Sequence, residues 1–299
     1  MTVRDPTVVV GVDGSAGSDQ AVLWAADLAA RRQLTLHVVH GLRLTTPPLG
    51  VTMVANGEAF ETVMENGERI LRDAAWLAHR VDETITVTTD MPTEPPVPLL
   101  TDLSRMVRMI VVGHTGDGGF TGMLVGSTAA AVVSHAHCPV LVIRGRFGPA
   151  GAPEDGSVVV GVDGSPVSEQ AVATAFDEAS GRGVPLVAVQ AWSDDSCGGM
   201  YRTNRYLADW DAIEGDEQQV LAERLAGWQE KYPDVEVRRE LVRDRPRHTL
   251  LEWSAIAQLV VVGSRGRGGF LGMLLGSTSQ ALVQHAQCPV LVVRPRPGE

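Results

Sequence analysis

Val8-Val-Val-Gly-Val-Asp-Gly-Ser15 returns letter for letter as Val158-Val-Val-Gly-Val-Asp-Gly-Ser165, at an offset of 150 residues. A run of β-branched residues with continuous apolar character reads as a strand buried on both faces. The Asp-Gly-Ser that follows reads as the turn into a helix. Two further blocks keep the same offset. Gly113-x-x-Gly116 and Gly126-Ser127-Thr128 return as Gly263-x-x-Gly266 and Gly276-Ser277-Thr278, and His135-Ala-x-Cys138-Pro139 returns as His285-Ala-x-Cys288-Pro289. A period of this size means duplication of a whole domain, not a solenoid of short repeats. The two copies span residues 1–146 and 158–299, and the Gly- and Pro-rich stretch 147–157 reads as the linker.

Working outward from the quoted strand, each copy alternates strand and helix. In the first, strands are expected at Thr7–Val12, Leu34–Val39, Ile85–Thr89, Met109–Gly113 and Pro139–Ile143. Helices are expected at Ser18–Arg32, Glu58–Arg80 and Ser127–Ala136, with one more ending near Met106 after a proline-rich loop, Pro92–Pro98. The second copy repeats the series. Strands separated by helices predict an α/β fold with a parallel sheet covered on both faces. In such a sheet ligands sit beyond the carboxyl ends of the strands, where strand order reverses. If the order is 3-2-1-4-5, Asp13 and Gly113 face one crevice.

Composition narrows the partners. The net charge is −11 over 299 residues, and the only lysine is Lys231. An acidic chain argues against nucleic acid and anionic membranes, which need clustered cations. No apolar run approaches the ~18 residues of a bilayer span, and no leader pattern opens the chain. Cys138 and Cys288 are equivalent positions and Cys197 has no counterpart, which is not a disulfide framework; the cytoplasm is the expected compartment.

The glycine loop carries the chemistry. Gly113 and Gly116 permit close backbone approach, and the loop ends at Gly126-Ser127-Thr128 where a helix starts. Ser127 is expected to be its N-cap, and the amides of that first turn suit phosphate oxygens. The competing reading is a surface loop whose glycines serve turn geometry alone; two copies of identical spacing weigh against it. A Walker loop is excluded by the absence of a lysine there, and no G-x-G-x-x-G follows the first strand.

Gly-x-x-Gly, nine residues, then Gly-Ser resembles the ATP-binding signature of the universal stress protein family. The Val-Gly-Val-Asp-Gly-Ser openings and the Cys-Pro-Val-Leu-Val endings are similar as well. The resemblance covers both halves and implies a tandem protein of the actinobacterial type, with two doubly wound, Rossmann-like five-stranded parallel sheets of order 3-2-1-4-5. It implies ATP, with or without Mg, in each half. Asp13 and Asp163 would sit by the ribose and adenine. Gly113, His114, Thr115, Gly116, Asp117, Gly118 and Gly119 would wrap ribose and phosphates, as would Gly263, Ser264, Arg265, Gly266, Arg267, Gly268 and Gly269. Gly126, Ser127 and Thr128, and Gly276, Ser277, Thr278 and Ser279, would hold phosphate. Backbone at Gly11, Val12 and Gly41, and at Gly161, Val162 and Ala191, would line the adenine slot.

The copies differ where phosphates would lie. Arg265 and Arg267 stand opposite Thr115 and Asp117, and Asp194, placed for a ribose hydroxyl, stands opposite Leu44. Arginine favours a phosphate chain and Asp117 opposes it unless a metal intervenes, so the second site is expected to be the stronger. A solvated loop acid is the competing reading of Asp194. His135-x-His137-Cys138 does not read as a metal site, because the second copy has Gln287 and a helix C-terminus accounts for the histidines. Ser15 and Ser165 read as turn or cap residues, not nucleophiles. Trp192, Tyr201, Tyr206 and Trp210 read as packing of a lid-like loop.

The expected function is that of an ATP-binding regulator in a stress or dormancy response, acting on an unidentified protein target. It is not expected to be an enzyme beyond slow ATP hydrolysis; the alternative is a slow ATPase or an adenylate-forming enzyme. Short apolar last strands predict pairing of the halves as an intramolecular pseudo-dimer, and a homodimer beyond that.

Overall fold

The computed structural model describes residues 5–42, 56–116, 125–145, 156–192, 210–243, 246–266 and 274–295. The chain divides into two compact units, Met1–Arg144 and Gly145–Pro295.

The first unit contains β1 (Asp5–Gly11), α1 (Ala16–Arg32), β2 (Thr35–Val39), α2 (Asn56–Val81), β3 (Val87–Asp90), α3 (Pro96–Leu103), β4 (Val107–Gly113), α4 (Ser127–His135) and β5 (Val140–Ile143). Its strands run in the order β3-β2-β1-β4-β5 and every pair is parallel. The order reverses between β1 and β4, as the family resemblance implied. Val8, Val9 and Val10 are fully buried, which is why an alternating pattern is missing from β1. Helices α1 and α2 pack together, as do α3 and α4.

The second unit contains β6 (Val158–Val162), α5 (Pro166–Arg182), β7 (Leu186–Trp192), α6 (Trp210–Lys231), β8 (Val237–Arg243), α7 (Pro246–Trp253), β9 (Leu259–Gly263), α8 (Ser277–His285) and β10 (Val290–Val293). The pairs β6–β7, β7–β8, β6–β9 and β9–β10 are again all parallel, so the order of the first unit repeats.

Ser15 and Ser165 cap α1 and α5, each accepting from the amide three residues on at 3.2 Å. Those helices end in left-handed residues, Gln33 at φ 51° and Gly183 at φ 66°. The latter is the ordinary use of glycine at a helix end; the former places a side chain where it is strained.

Three expectations are corrected. Helix α4 is capped by Gly126, not Ser127, and α8 by Gly276, not Ser277; both caps are extended and neither makes a side-chain bond. The serines are therefore the first helical residues, with their amides among the unpaired donors of the terminus. Helix α3 starts inside the stretch expected as a proline loop, because Pro96 sits at the first helical position where its missing N–H costs nothing. Strand β3 begins two residues later than expected; Ile85 is buried just ahead of it.

Lys231 ends α6 of the second unit. Its ammonium stands 5.1 Å from the Trp228 ring centroid and 5.2 Å from that of Tyr232, and both rings stack with Phe176. Of the aromatic residues expected to pack a lid-like loop, Trp192 ends β7 and Trp210 opens α6, while Tyr201 and Tyr206 lie outside the described residues, as does Cys197. Among the described residues, no helix is long and apolar enough to cross a membrane.

Candidate functional site

A cleft of about 470 Å³ opens beyond the carboxyl ends of β1 and β4 in the first unit. That volume lies in the range of small-molecule sites. Of the residues expected at this site, Gly11, Val12, Asp13, Gly41, Gly113, Thr115, Gly116, Gly126, Ser127 and Thr128 all line it. Asp117, Gly118 and Gly119 lie outside the described residues.

Asp13 is held by its own turn. One carboxylate oxygen accepts from the Ser15 amide at 3.1 Å and from the Ser15 hydroxyl at 2.6 Å. The other oxygen faces Gly116 so closely that a β-carbon there would overlap it. Gly113 is packed on backbone as well: its β-carbon would stand 2.6 Å from the Gly17 carbonyl carbon. These two glycines are thus required by close approach, and neither has a positive φ. The loop closes where the Gly126 amide donates to the His114 carbonyl at 2.6 Å, which sets the start of α4 beside Gly116.

His114 does not line the cleft. Its Nδ1 lies 3.2 Å from the Ile143 carbonyl. Burial, reinforced by the Arg144 cation, pushes its pKa below the ordinary histidine value, against a smaller opposing pull from that carbonyl. It is therefore uncharged at neutral pH.

Val12 lines the cleft with its backbone already engaged. Its amide donates to the Val39 carbonyl at 2.9 Å, and its own carbonyl lies 2.8 Å from His40 Nδ1. Because a carbonyl can only accept, that ring nitrogen carries the hydrogen. Sequence reasoning missed His40, along with Ser15, Ser18, Val39, Pro96, Leu99, Leu100, Val112 and Ala129 of the lining. His40 had a legible signal, since it follows directly on β2; Leu99 and Leu100 had none, because α3 reaches the cleft only through packing. A β-carbon on Gly11 would lie 3.1 Å from Leu100, so this glycine makes room for a helix side chain, not only for a ligand.

The second unit repeats the frame. Asp163 accepts from the Ser165 amide at 2.9 Å, and a β-carbon on Gly266 would overlap its other oxygen. The Gly276 amide donates to the Ser264 carbonyl at 2.7 Å, the counterpart of the Gly126 contact. Val162 is buried and Gly161 leaves space for Leu250, whose methyl would be 2.9 Å from a β-carbon. Gly263 ends β9, Ser277 and Thr278 open α8, and Arg265 is exposed. Arg267, Gly268, Gly269 and Asp194 lie outside the described residues.

Two positions differ from expectation in local role. Ser279 is buried and its hydroxyl donates to the Gly263 carbonyl at 2.6 Å, tying α8 to the end of β9. Its one hydrogen is thus not available to a phosphate. Ala191 lies inside β7, in register with Val242 of β8, whereas its counterpart Gly41 is already past β2. Ser264 is fully buried, and its hydroxyl has no partner among the described residues.

The sequence profile described as Universal stress protein family matches residues 6–144 and 156–294. A universal stress protein of Mycobacterium bovis is 44% identical over 294 residues, covering 96% of each chain. One from Mycobacterium tuberculosis is 44% identical over 306 residues, covering 96% of this chain and 94% of that one. Among solved structures, a universal stress protein from Archaeoglobus fulgidus aligns with a TM-score of 0.71 at 20% identity, over 99% of this chain and 98% of that one.

Proposed function

For a chain that belongs to the universal stress protein family, we propose the role of an ATP-binding regulator in a stress or dormancy response. Each half holds one adenine nucleotide, with or without Mg, and the second half holds ATP the more tightly. The bound nucleotide sets the affinity for a protein target in the cytoplasm. One observation carries this reading. Asp13, Gly116 and the opening turn of α4 meet around a single cleft at the strand-order reversal, and their counterparts meet at the same place in the second unit.

The amides at the start of α4 and α8 suit phosphate oxygens, and the carboxylates of Asp13 and Asp163 suit ribose hydroxyls. Neither loop contains lysine, so a phosphate-transfer mechanism would lack the usual cation. Turnover far below the ~10 s⁻¹ of ordinary enzymes is expected. Pairing of the halves as a pseudo-dimer, and of chains as a homodimer, belongs to the same proposal and is checked by mixing separately expressed halves.

The test is equilibrium dialysis of the full chain against labelled ATP. Two sites per chain are expected at sub-millimolar nucleotide, with Arg265→Thr weakening one of them about tenfold, as loss of a charged hydrogen bond does. No binding at those concentrations would overturn the reading.

A further inference from the structure

Resting on that reading of the two clefts, we infer that they sort adenine nucleotides by phosphate charge. The first favours a nucleotide with a single phosphate group, and the second favours the triphosphate.

Among the described residues, the lining of the first cleft contains neither lysine nor arginine, and its ionisable side chains are Asp13 and His40. The Nδ1 hydrogen of His40 is committed to the Val12 carbonyl. His114, the one other basic group of the described loop, is kept neutral by burial and by Arg144. Among the described lining residues, the remaining positive potential is that of the α4 N-terminus, worth roughly half an elementary charge. Half a charge suits one phosphate group, whereas a triphosphate brings several negative charges that need partners once removed from water.

Carboxylates gather beside the first cleft, one of them, Asp73, paired with Arg69 at 3.2 Å. Asp19, in the first turn of α1, has its pKa raised by partial burial and then by the carboxylates of Asp73 and Asp13. Its counterpart Glu169 is ion-paired with Arg224, a residue replaced by Ala74 in the first half. At the loop itself the second half places the exposed Arg265 where the first has Thr115. At this loop position the second half thus carries a cation and the first does not.

The experiment uses the full chain with a metal chelator present, labelled AMP and unlabelled ATP. One AMP per chain is expected to stay bound at ATP concentrations that saturate the second cleft. Thr115→Arg, at a partly exposed position, should let ATP displace that AMP at a concentration about tenfold lower, the effect of one charged hydrogen bond. Displacement of AMP from the wild-type chain by ATP with equal potency at both clefts would overturn the inference and leave the ATP-site proposal standing. Binding of neither nucleotide would overturn the site proposal itself.

Discussion

In the first half, α1 rests backbone on backbone against the end of β4; in the second, a side chain holds α5 off β9. Gly17 makes the difference. A β-carbon there would stand 2.7 Å from the Thr115 carbonyl oxygen, while Val167 occupies the same place in the second half, 3.1 Å from a β-carbon on Gly263. The next wall of the cleft differs as well. His40 lies against Gly67 in the first half, whereas Gln190 donates to Glu217 in the second. Two copies with identical strand order and glycine spacing thus surround their clefts with different chemistry. The shared motif sets where a ligand sits, and the residues one layer behind it set which ligand suits.

The largest effects should come from filling a close contact that both halves make. Gly116→Val places a side chain on the Asp13 carboxylate and Gly266→Val does the same at Asp163. Each should abolish nucleotide binding in its own half and spare the other, as read by dialysis stoichiometry. Loss of both sites from either change would show the halves to be coupled, not independent.

Exchanging the residues that separate the halves should have an intermediate effect. Gly17→Val forces a side chain onto backbone and is expected to destabilise the first half by about 1–3 kcal/mol, the range for overpacking. Val167→Gly, which removes a side chain and meets no clash, should cost only about 1 kcal/mol. Urea unfolding of both variants measures this; equal losses would mean that the approach of α1 to the loop is no closer than that of α5.

A smaller difference should appear with pH. The fold holds His114 neutral, so below 6.5 the unfolded chain binds a proton that the folded chain resists. Its stability is unpenalised above that value and falls as pH drops toward the lowered folded pKa. The second half has Ser264 at this position and lacks the effect. His114→Gln should therefore flatten the acid limb of the stability profile, and an unchanged limb would remove His114 from the account.

The smallest effect concerns the helix ends. Gln33 occupies a left-handed conformation that Gly183 adopts without a side chain. Gln33→Gly should stabilise the first half by about 1 kcal/mol, through relief of the strained conformation. A melting temperature that falls instead would show that the Gln33 side chain contributes more than its backbone costs.

The repeat and the strand–helix alternation were legible because each rests on patterns within a short window, whereas the sheet order, which joins β1 to β4, came only as an implication of the family resemblance. A run such as Val8–Val10 can be satisfied only by burial on both faces, and duplication doubles every such signal. The glycine loop was legible for the same reason. Gly113 and Gly116 mark close approach whatever surrounds them, and the structure finds that approach against Gly17 and Asp13. Element ends were less so. Gly126 displaced Ser127 as the cap because its amide is drawn to the His114 carbonyl, a contact made by the folded loop and not by the local sequence.

What the sequence determined by itself is the frame: two copies, parallel sheets, and a glycine loop ahead of a helix in each. These follow from backbone geometry and apolar periodicity, which act over a few residues. What only the tertiary structure decided is which polar groups remain for a ligand. Val12 has its amide and carbonyl engaged by Val39 and His40, Ser279 gives its hydrogen to Gly263, and Leu100 fills the space above Gly11. Those assignments join residues many positions apart, and a hydrogen-bond donor can be spent only once, so they become readable only after the chain has brought its partners together.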